Sequence, residues 1–313
     1  MIEIKGNIPL APYTIYKIGG PARFLTQVKS SEELKEALDF AATEGISFFI
    51  LGAGSNVLIS DQGFNGLIVR MAGGEVSTDG ECLTVGAGAM MARAVMETAR
   101  SGLAGFEWGI GIPGTIGGSV RGNAGCFGGE MKDVIESVEV FDTAKPATSS
   151  LQPAACEFTY RDSIFKRHPE WVILSATFKL QKGDPAAIQG EIRRITAERL
   201  TKQDIGAKSC GCIFKNIPWT RPDVNRGELL ARFPELARFT DKPTIPVSFL
   251  IDAAALKGRR AGRVVISAKH ANFFVNEGGA GAEDVIALAV IAKDAVLEKF
   301  GLELEEEIQR IGF

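Results

Sequence analysis

Apolar residues along this chain alternate between two periods, and the switches between them mark its elements. Residues 22–28 (ARFLTQV) read as a short strand. Behind it, Ser30-x-x-Glu33 forms a capping-box signal, and Leu34, Ala37, Leu38 and Ala41 at helical spacing predict a helix that Gly45 stops. Phe48 to Leu51 is an apolar strand that runs into Gly52-Ala53-Gly54-Ser55-Asn56, and two further apolar runs follow, Val57 to Ile59 and Leu67 to Val69. Cys82 to Val85 reads as a strand and Met91 to Arg100 as a helix closed by Gly102.

Val134 to Phe141 and Trp171 to Leu180 alternate as strands do. Asp184-Pro185 places an N-cap before a first-turn proline, opening a helix through Ile188, Ile192, Ile195 and Leu200. Residues 201–218 are polar and glycine-punctuated, and proline and arginine crowd 217–246, which suits a domain boundary and surface loops. Beyond them, Ser248 is expected to cap a helix ending at Gly258. Arg263 to Ile266 and Phe273 to Val275 read as strands, Val285 to Phe300 as a helix ending at Gly301, and the tail LELEEEIQRI alternates like a strand. That alternation sets Glu303, Glu305 and Glu307 on one side and Leu304, Glu306 and Ile308 on the other.

With 313 residues, two or three domains are expected, and the chain is 45% hydrophobic with 36 glycines, an excess that points to loops approaching a ligand. The net charge of −3, without a basic tract, speaks against nucleic acid or an anionic membrane as partner. Five scattered cysteines fit reduced thiols, and neither a secretory pattern nor a membrane-length apolar run is present, so a cytoplasmic protein is expected. Two histidines far apart in sequence, His168 and His270, suggest neither a metal cluster nor a Ser-His-Asp triad.

The strongest chemical signal is the stretch Gly109 to Gly129, GIGIPGTIGGSVRGNAGCFGG, in which nine glycines alternate with branched apolar residues and a proline. Such a stretch reads as an ordered loop whose backbone contacts a cofactor, not as a linker. Gly52 to Asn56 follows a buried-type strand, where its N–H groups and the Ser55 hydroxyl suit a pyrophosphate. It departs from GxGxxG, because Val57 begins another strand where a dinucleotide fold would begin a helix. Together the two loops suggest a dinucleotide gripped from two sides, with flavin the best candidate. On local pattern alone, Arg161 before Asp162 reads either as a surface ion pair or as an anion ligand, and Cys210 and Cys212 either as small core residues or as a tuned thiol beside Lys215.

Seven motifs in order, IGGPA (18–22), ILGAGSN (50–56), GIPGTIGG (111–118), NAGCFG (123–128), YRDSIFK (160–166), GCIFKN (211–216) and KHANFFVN (269–276), resemble the UDP-N-acetylenolpyruvoylglucosamine reductase family. The resemblance implies an α+β protein, with an FAD-binding PCMH-type (vanillyl-alcohol oxidase-like) fold of two subdomains and a C-terminal α+β substrate domain. Its expected boundaries are 1–75, joined by a C-terminal strand over 301–313, then 76–205, and 206–300 for the substrate domain. It implies non-covalent FAD, NADPH as co-substrate, a sugar nucleotide as substrate in peptidoglycan-precursor synthesis, and a monomer or weak oligomer.

By position, Gly52, Ala53, Gly54, Ser55, Asn56, Gly111, Pro113, Gly114, Thr115, Gly117, Gly118, Ser119 and Gly125 are the implied cofactor contacts. Arg161 matches the family's arginine that stabilises an enolate, and Glu307 the glutamate that assists it. Cys212 stands where many members carry the serine that protonates this enolate. A thiol, with an ordinary pKa of about 8.5, gives up a proton more readily than an alcohol. Lys215, Asn216 and His270 are the implied substrate contacts, with Gln203 and Lys208 as further candidates. Few residues separate Arg161 from Asp184, so the chain resembles the shorter subgroup that lacks a tyrosine-bearing loop.

Overall fold

A computed structural model describes residues 1–313, which divide into two compact units. The first comprises residues 1–9, 21–55 and 63–201, and the second residues 10–20, 56–62 and 202–313.

In the first unit, β1 (Ile4–Pro9), β2 (Pro21–Val28), β3 (Phe48–Leu51) and β5 (Phe64–Met71) form a sheet in the order β1-β2-β5-β3. β1 runs antiparallel to β2, whereas β2 and β3 both pair parallel with β5. Helix α1 (Ser31–Thr43) buries Leu34, Ala37 and Ala41 against Val28, Leu67 and Val69, as the helical spacing requires. Its cap differs slightly from the expected box. The Ser30 hydroxyl accepts from Glu33 N at 3.3 Å, but the Glu33 carboxylate accepts from Lys29 N at 2.7 Å, one residue earlier than a capping box would have it.

A five-stranded antiparallel sheet follows, in the order Ala147–Leu151, Ile135–Asp142, Trp171–Lys179, β7 (Cys82–Gly86) and β6 (Val76–Asp79). The strand Ala147–Leu151 lies at its edge, mostly exposed, and so carries none of the apolar alternation that would announce it. Helices α2 (Met91–Arg100), α3 (Ile116–Arg121), α4 (Ile164–Arg167) and α5 (Pro185–Lys202) also belong to this part of the chain. Met91, Val95, Ile116, Val120, Ile188 and Ile192 share its core with Leu83, Val138 and Phe178. The short α3 lies inside the stretch read as loop. Its glycines disfavour a helix, yet Thr115 caps it, with Oγ1 accepting from Gly118 N at 3.4 Å, and Ile116 and Val120 are fully buried.

The second unit contains α6 (Arg226–Arg232), α7 (Val247–Ala253), α8 (Ala282–Phe300) and the small sheet Arg260–Ala261, Val264–Ile266 and Phe274–Asn276. Gly301 ends α8 with φ +70, as its position predicts. Ser248 does not cap α7. Pro246 occupies that place, the Val247 N–H donates to Asn216 Oδ1 at 3.0 Å, and the helix ends at Ala253, before Ala255 turns to φ +59.

The C-terminal tail pairs as a strand only over Gln309–Ile311, parallel to β4 (Val57–Ile59). The expected alternation nevertheless governs burial over its first part, for Leu302, Leu304 and Ile308 are all buried. Residues 10–20 and 56–62, expected to belong to the first 75 residues, group with this unit instead. Tyr16, Ile18 and Leu58 lie in its core, and Asn276 Nδ2 donates to the Tyr16 carbonyl at 2.9 Å. The Tyr16 hydroxyl is buried without a hydrogen-bond partner, and burial raises its pKa well above the usual phenol range. Tyr16→Phe is therefore expected to leave the thermal midpoint unchanged or raise it by about 1–3 °C, since it removes a buried, unsatisfied group at little cost in packing. A lower midpoint in calorimetry would mean that the hydroxyl is used.

Candidate functional site

Two glycine loops meet in the first unit. A Cβ at Gly52 would lie 2.5 Å from Thr115 Oγ1, and one at Gly114, where φ is +130, would lie 2.8 Å from Ser55 Oγ. Glycine at these two positions leaves room for the Thr115 and Ser55 hydroxyls against the facing backbone. The 111–119 loop is also stitched to residues 87–91, through Ile116 N to Ala89 O at 2.8 Å, Gly117 N to Ala87 O at 2.9 Å and Met91 N to Gly114 O at 3.0 Å. By contrast, the N–H groups of Ala53, Gly54 and Ser55 make no backbone hydrogen bond. Such a run of amides suits a phosphate oxygen, so the residues present fit a dinucleotide.

Gly125 lies on the far side of this stretch, in a hairpin of Gly125–Cys126 with Gly129–Glu130. Its carbonyl accepts from Arg161 Nη2 at 2.9 Å. Arg161 itself has φ +56 and is the third residue of a tight turn closed by Thr159 and Asp162, whose N–H and carbonyl groups bond reciprocally at 3.1 and 3.2 Å. Beside it, Asp162 Oδ2 pairs with Arg167 Nη1 at 2.5 Å.

In the second unit, residues 212–215 run between two other segments. Cys212 forms a bridge with Phe273 and Phe214 with Glu306, while Glu307 N donates to Ile213 O at 2.8 Å and Lys215 N to Glu305 O at 2.9 Å. The structure thus brings Cys212 and Glu307 onto adjacent chain segments. Asn272, 1% exposed, holds the other side, with Nδ2 donating to Phe214 O at 2.7 Å and Oδ1 accepting from Phe214 N at 3.0 Å.

Burial pushes the Cys210 thiol well above the usual range and that of Cys156 up to about 11, so both stay neutral, whereas Cys212 is only half-buried. Cys126 is also raised by burial, and its Sγ donates to Trp108 O at 2.9 Å while accepting from Arg199 Nη2 at 2.7 Å.

The other candidates have structural partners. Lys215 Nζ pairs with Glu305 at 2.5 Å. Asn216 Oδ1 holds the first turn of α7. Asn56, implied as a cofactor contact, falls in the second unit, where its Nδ2 donates to Glu307 O at 3.1 Å and its carbonyl accepts from Gln309 N at 3.0 Å. Its position therefore fixes the backbone of Glu307. The His270 ring packs on Phe273 at 4.5 Å with Nδ1 buried and unpartnered, and burial, followed by Lys257, lowers its pKa, so the ring is neutral at pH 7. Sequence reasoning missed Asn123 and Asn272, the buried amides that hold these segments; both lie inside the recognised motifs but carry no chemistry that would single them out.

Comparison with known proteins adds two family models. One, described as an FAD binding domain, matches residues 22–145 and so includes both glycine loops. The other, the C-terminal domain of UDP-N-acetylenolpyruvoylglucosamine reductase, matches residues 203–311 and includes Cys212, Lys215, Asn216, His270 and Glu307. A UDP-N-acetylenolpyruvoylglucosamine reductase from Rubrobacter xylanophilus is 36% identical over 98% of this chain and 95% of its own. One from Caldicellulosiruptor bescii is 38% identical over 99% and 91%. The crystal structure of the Thermus caldophilus reductase superposes with a TM-score of 0.77 at 32% identity, covering 99% of this chain and 100% of that one.

Given that fit, Gly52→Ala has a defined expected result. Overpacking of this kind costs about 1–3 kcal/mol, which is about 5- to 150-fold in affinity if it falls on cofactor binding. FAD titrated into apoprotein, followed by quenching of flavin fluorescence, should show that loss while circular dichroism stays unchanged. Unaltered affinity would separate the glycine contact from the cofactor.

Proposed function

The chain belongs to the UDP-N-acetylenolpyruvoylglucosamine reductase family, FAD oxidoreductases of peptidoglycan-precursor synthesis, and from that premise we propose which residues and which co-substrate carry the reaction here. NADPH is the hydride source, and UDP-N-acetylglucosamine enolpyruvate is reduced to UDP-N-acetylmuramate. FAD, when bound, supplies a hydride acceptor and donor that links the two. Ala53, Gly54 and Ser55 hold it through backbone amides, with the 111–119 loop closing against them.

Addition at the substrate's β-carbon leaves negative charge on the α-carbon and carboxylate, and this charge needs a cation and an acid fixed in advance. Arg161 is the cation. Its guanidinium is held by the Gly125 carbonyl, so little reorganisation is needed as charge develops. Cys212 is the acid that protonates the α-carbon through Sγ. Glu307 assists, and the observation that supports this pairing is the hydrogen bond from Glu307 N to Ile213 O, which puts Glu307 opposite the residue that follows Cys212.

Lys215, Asn216 and His270 contact the sugar nucleotide, the buried and unpartnered Nδ1 of His270 being a group that a substrate would satisfy. The chain has the short form of the region after Arg161. Between that residue and α5, α4 and the strand Trp171–Lys179 take up most of the chain, leaving no long loop for a substrate tyrosine. We assign a monomer or weak oligomer in the cytoplasm.

The purified protein should consume NADPH only when UDP-N-acetylglucosamine enolpyruvate is present, yield UDP-N-acetylmuramate, and release its yellow colour on acid precipitation. Consumption independent of that substrate, or colour retained in the precipitate, would count against the assignment, the latter pointing to a covalent flavin at a residue such as Cys126.

A further inference from the structure

Asn123 is fully buried, at 0% exposure, and has φ +41. It follows α3 and precedes the hairpin that begins at Gly125. Its side chain bonds two separate segments, since Nδ2 donates to Glu130 Oε2 at 2.7 Å and to Thr159 O at 2.8 Å, while Oδ1 accepts from Lys132 N at 3.1 Å. Glu130 closes the hairpin whose Gly125 carbonyl receives the Arg161 guanidinium, and Thr159 opens the turn that carries the Arg161 backbone.

Both ends of Arg161 are thus referred to one buried amide. We propose that Asn123 is the positioning residue for Arg161, holding its turn and its carbonyl acceptor at a fixed separation; this rests on the role given to Arg161 above. An arginine with φ +56 persists only where its surroundings fix it. Here the reciprocal Thr159–Asp162 bonds and Lys166 Nζ on the Arg161 carbonyl, at 2.5 Å, fix the turn itself. The Asn123 amide fixes the turn to the rest of the unit. Asparagine suits the place because it supplies two donors and an acceptor on a short stem and tolerates a left-handed backbone. An aspartate would keep the shape and the φ preference but would set a carboxylate against Glu130 Oε2 and the Thr159 carbonyl.

The test uses holoenzyme carrying Asn123→Asp, Arg161→Ala or both, in anaerobic single turnovers. In Asn123→Asp, FAD content and bleaching by NADPH should stay within about twofold, while reoxidation by the enolpyruvyl substrate falls about 10²-fold, the size expected of a misplaced contact. Adding Glu130→Gln, which removes the opposing charge and offers a donor to the carboxylate, should restore at least about tenfold of that loss. In the Arg161→Ala background, Asn123→Asp should cause no further loss, because the group it positions is gone. If Asn123→Asp does not fold, Asn123→Gly keeps the positive φ and should show the same selective, non-additive loss.

An impaired Arg161→Ala enzyme beside an Asn123 variant that reoxidises normally, or whose loss adds in full, overturns the positioning role alone. Normal reoxidation in Arg161→Ala itself overturns the reading of Arg161, and the inference with it.

Discussion

Cys212→Ala should leave the bleaching of bound flavin by NADPH within about twofold and slow reoxidation by the enolpyruvyl substrate by about 10²–10⁴-fold, the range of a lost general acid. The split follows from the role proposed for the residue. Flavin reduction by NADPH requires no proton at the substrate α-carbon, whereas the second half-reaction ends with one. Cys212→Ser keeps a hydroxyl at the same place and should retain measurable turnover. Rapid-mixing absorbance of the flavin, followed for each half-reaction, checks both statements, and normal reoxidation in Cys212→Ala would remove Cys212 from the mechanism.

Arg161→Ala has the second large effect, a loss of about 10²–10³-fold in the same half-reaction, as for removal of a preorganised group facing developing charge. Arg161→Lys should recover little of it. The guanidinium spans from the Gly125 carbonyl with a planar fork, and an ammonium on a flexible stem cannot hold that contact and face an anion together. Loss confined to flavin reduction would place Arg161 with NADPH instead.

Much of the fold is legible in the sequence because its signals are local. α1 and α2 follow from helical spacing behind a cap or before a glycine, and β3 running into Gly52 follows from an apolar run meeting a turn. α3 was hidden by its own glycines, and the edge strand Ala147–Leu151 by its polarity. The grouping of residues 10–20 and 56–62 with the second unit depends on contacts that no local pattern encodes. One of them, from Asn56 to Glu307, spans 251 residues.

The candidate site was legible as residue types and not as geometry. Glycine spacing marks the two loops, but only their contact at Thr115 and Ser55 explains why Gly52 and Gly114 are glycine. Asn216 and Asn56 read as ligands from their motifs, and only the fold shows that Asn216 Oδ1 also accepts from the Val247 N–H at the start of α7 and that Asn56 Nδ2 donates to the Glu307 carbonyl. Asn123 reads as one more turn residue, and its three bonds to distant segments appear only once the chain is folded.

The central claim is that one bound flavin is reduced by NADPH and reoxidised by an enolpyruvyl sugar nucleotide. Anaerobic titration of the holoenzyme tests it most directly. One equivalent of NADPH should bleach the flavin spectrum, and one equivalent of UDP-N-acetylglucosamine enolpyruvate should then restore it with stoichiometric UDP-N-acetylmuramate. A bleached flavin that persists after the substrate is added, or returns without that product, would contradict the account.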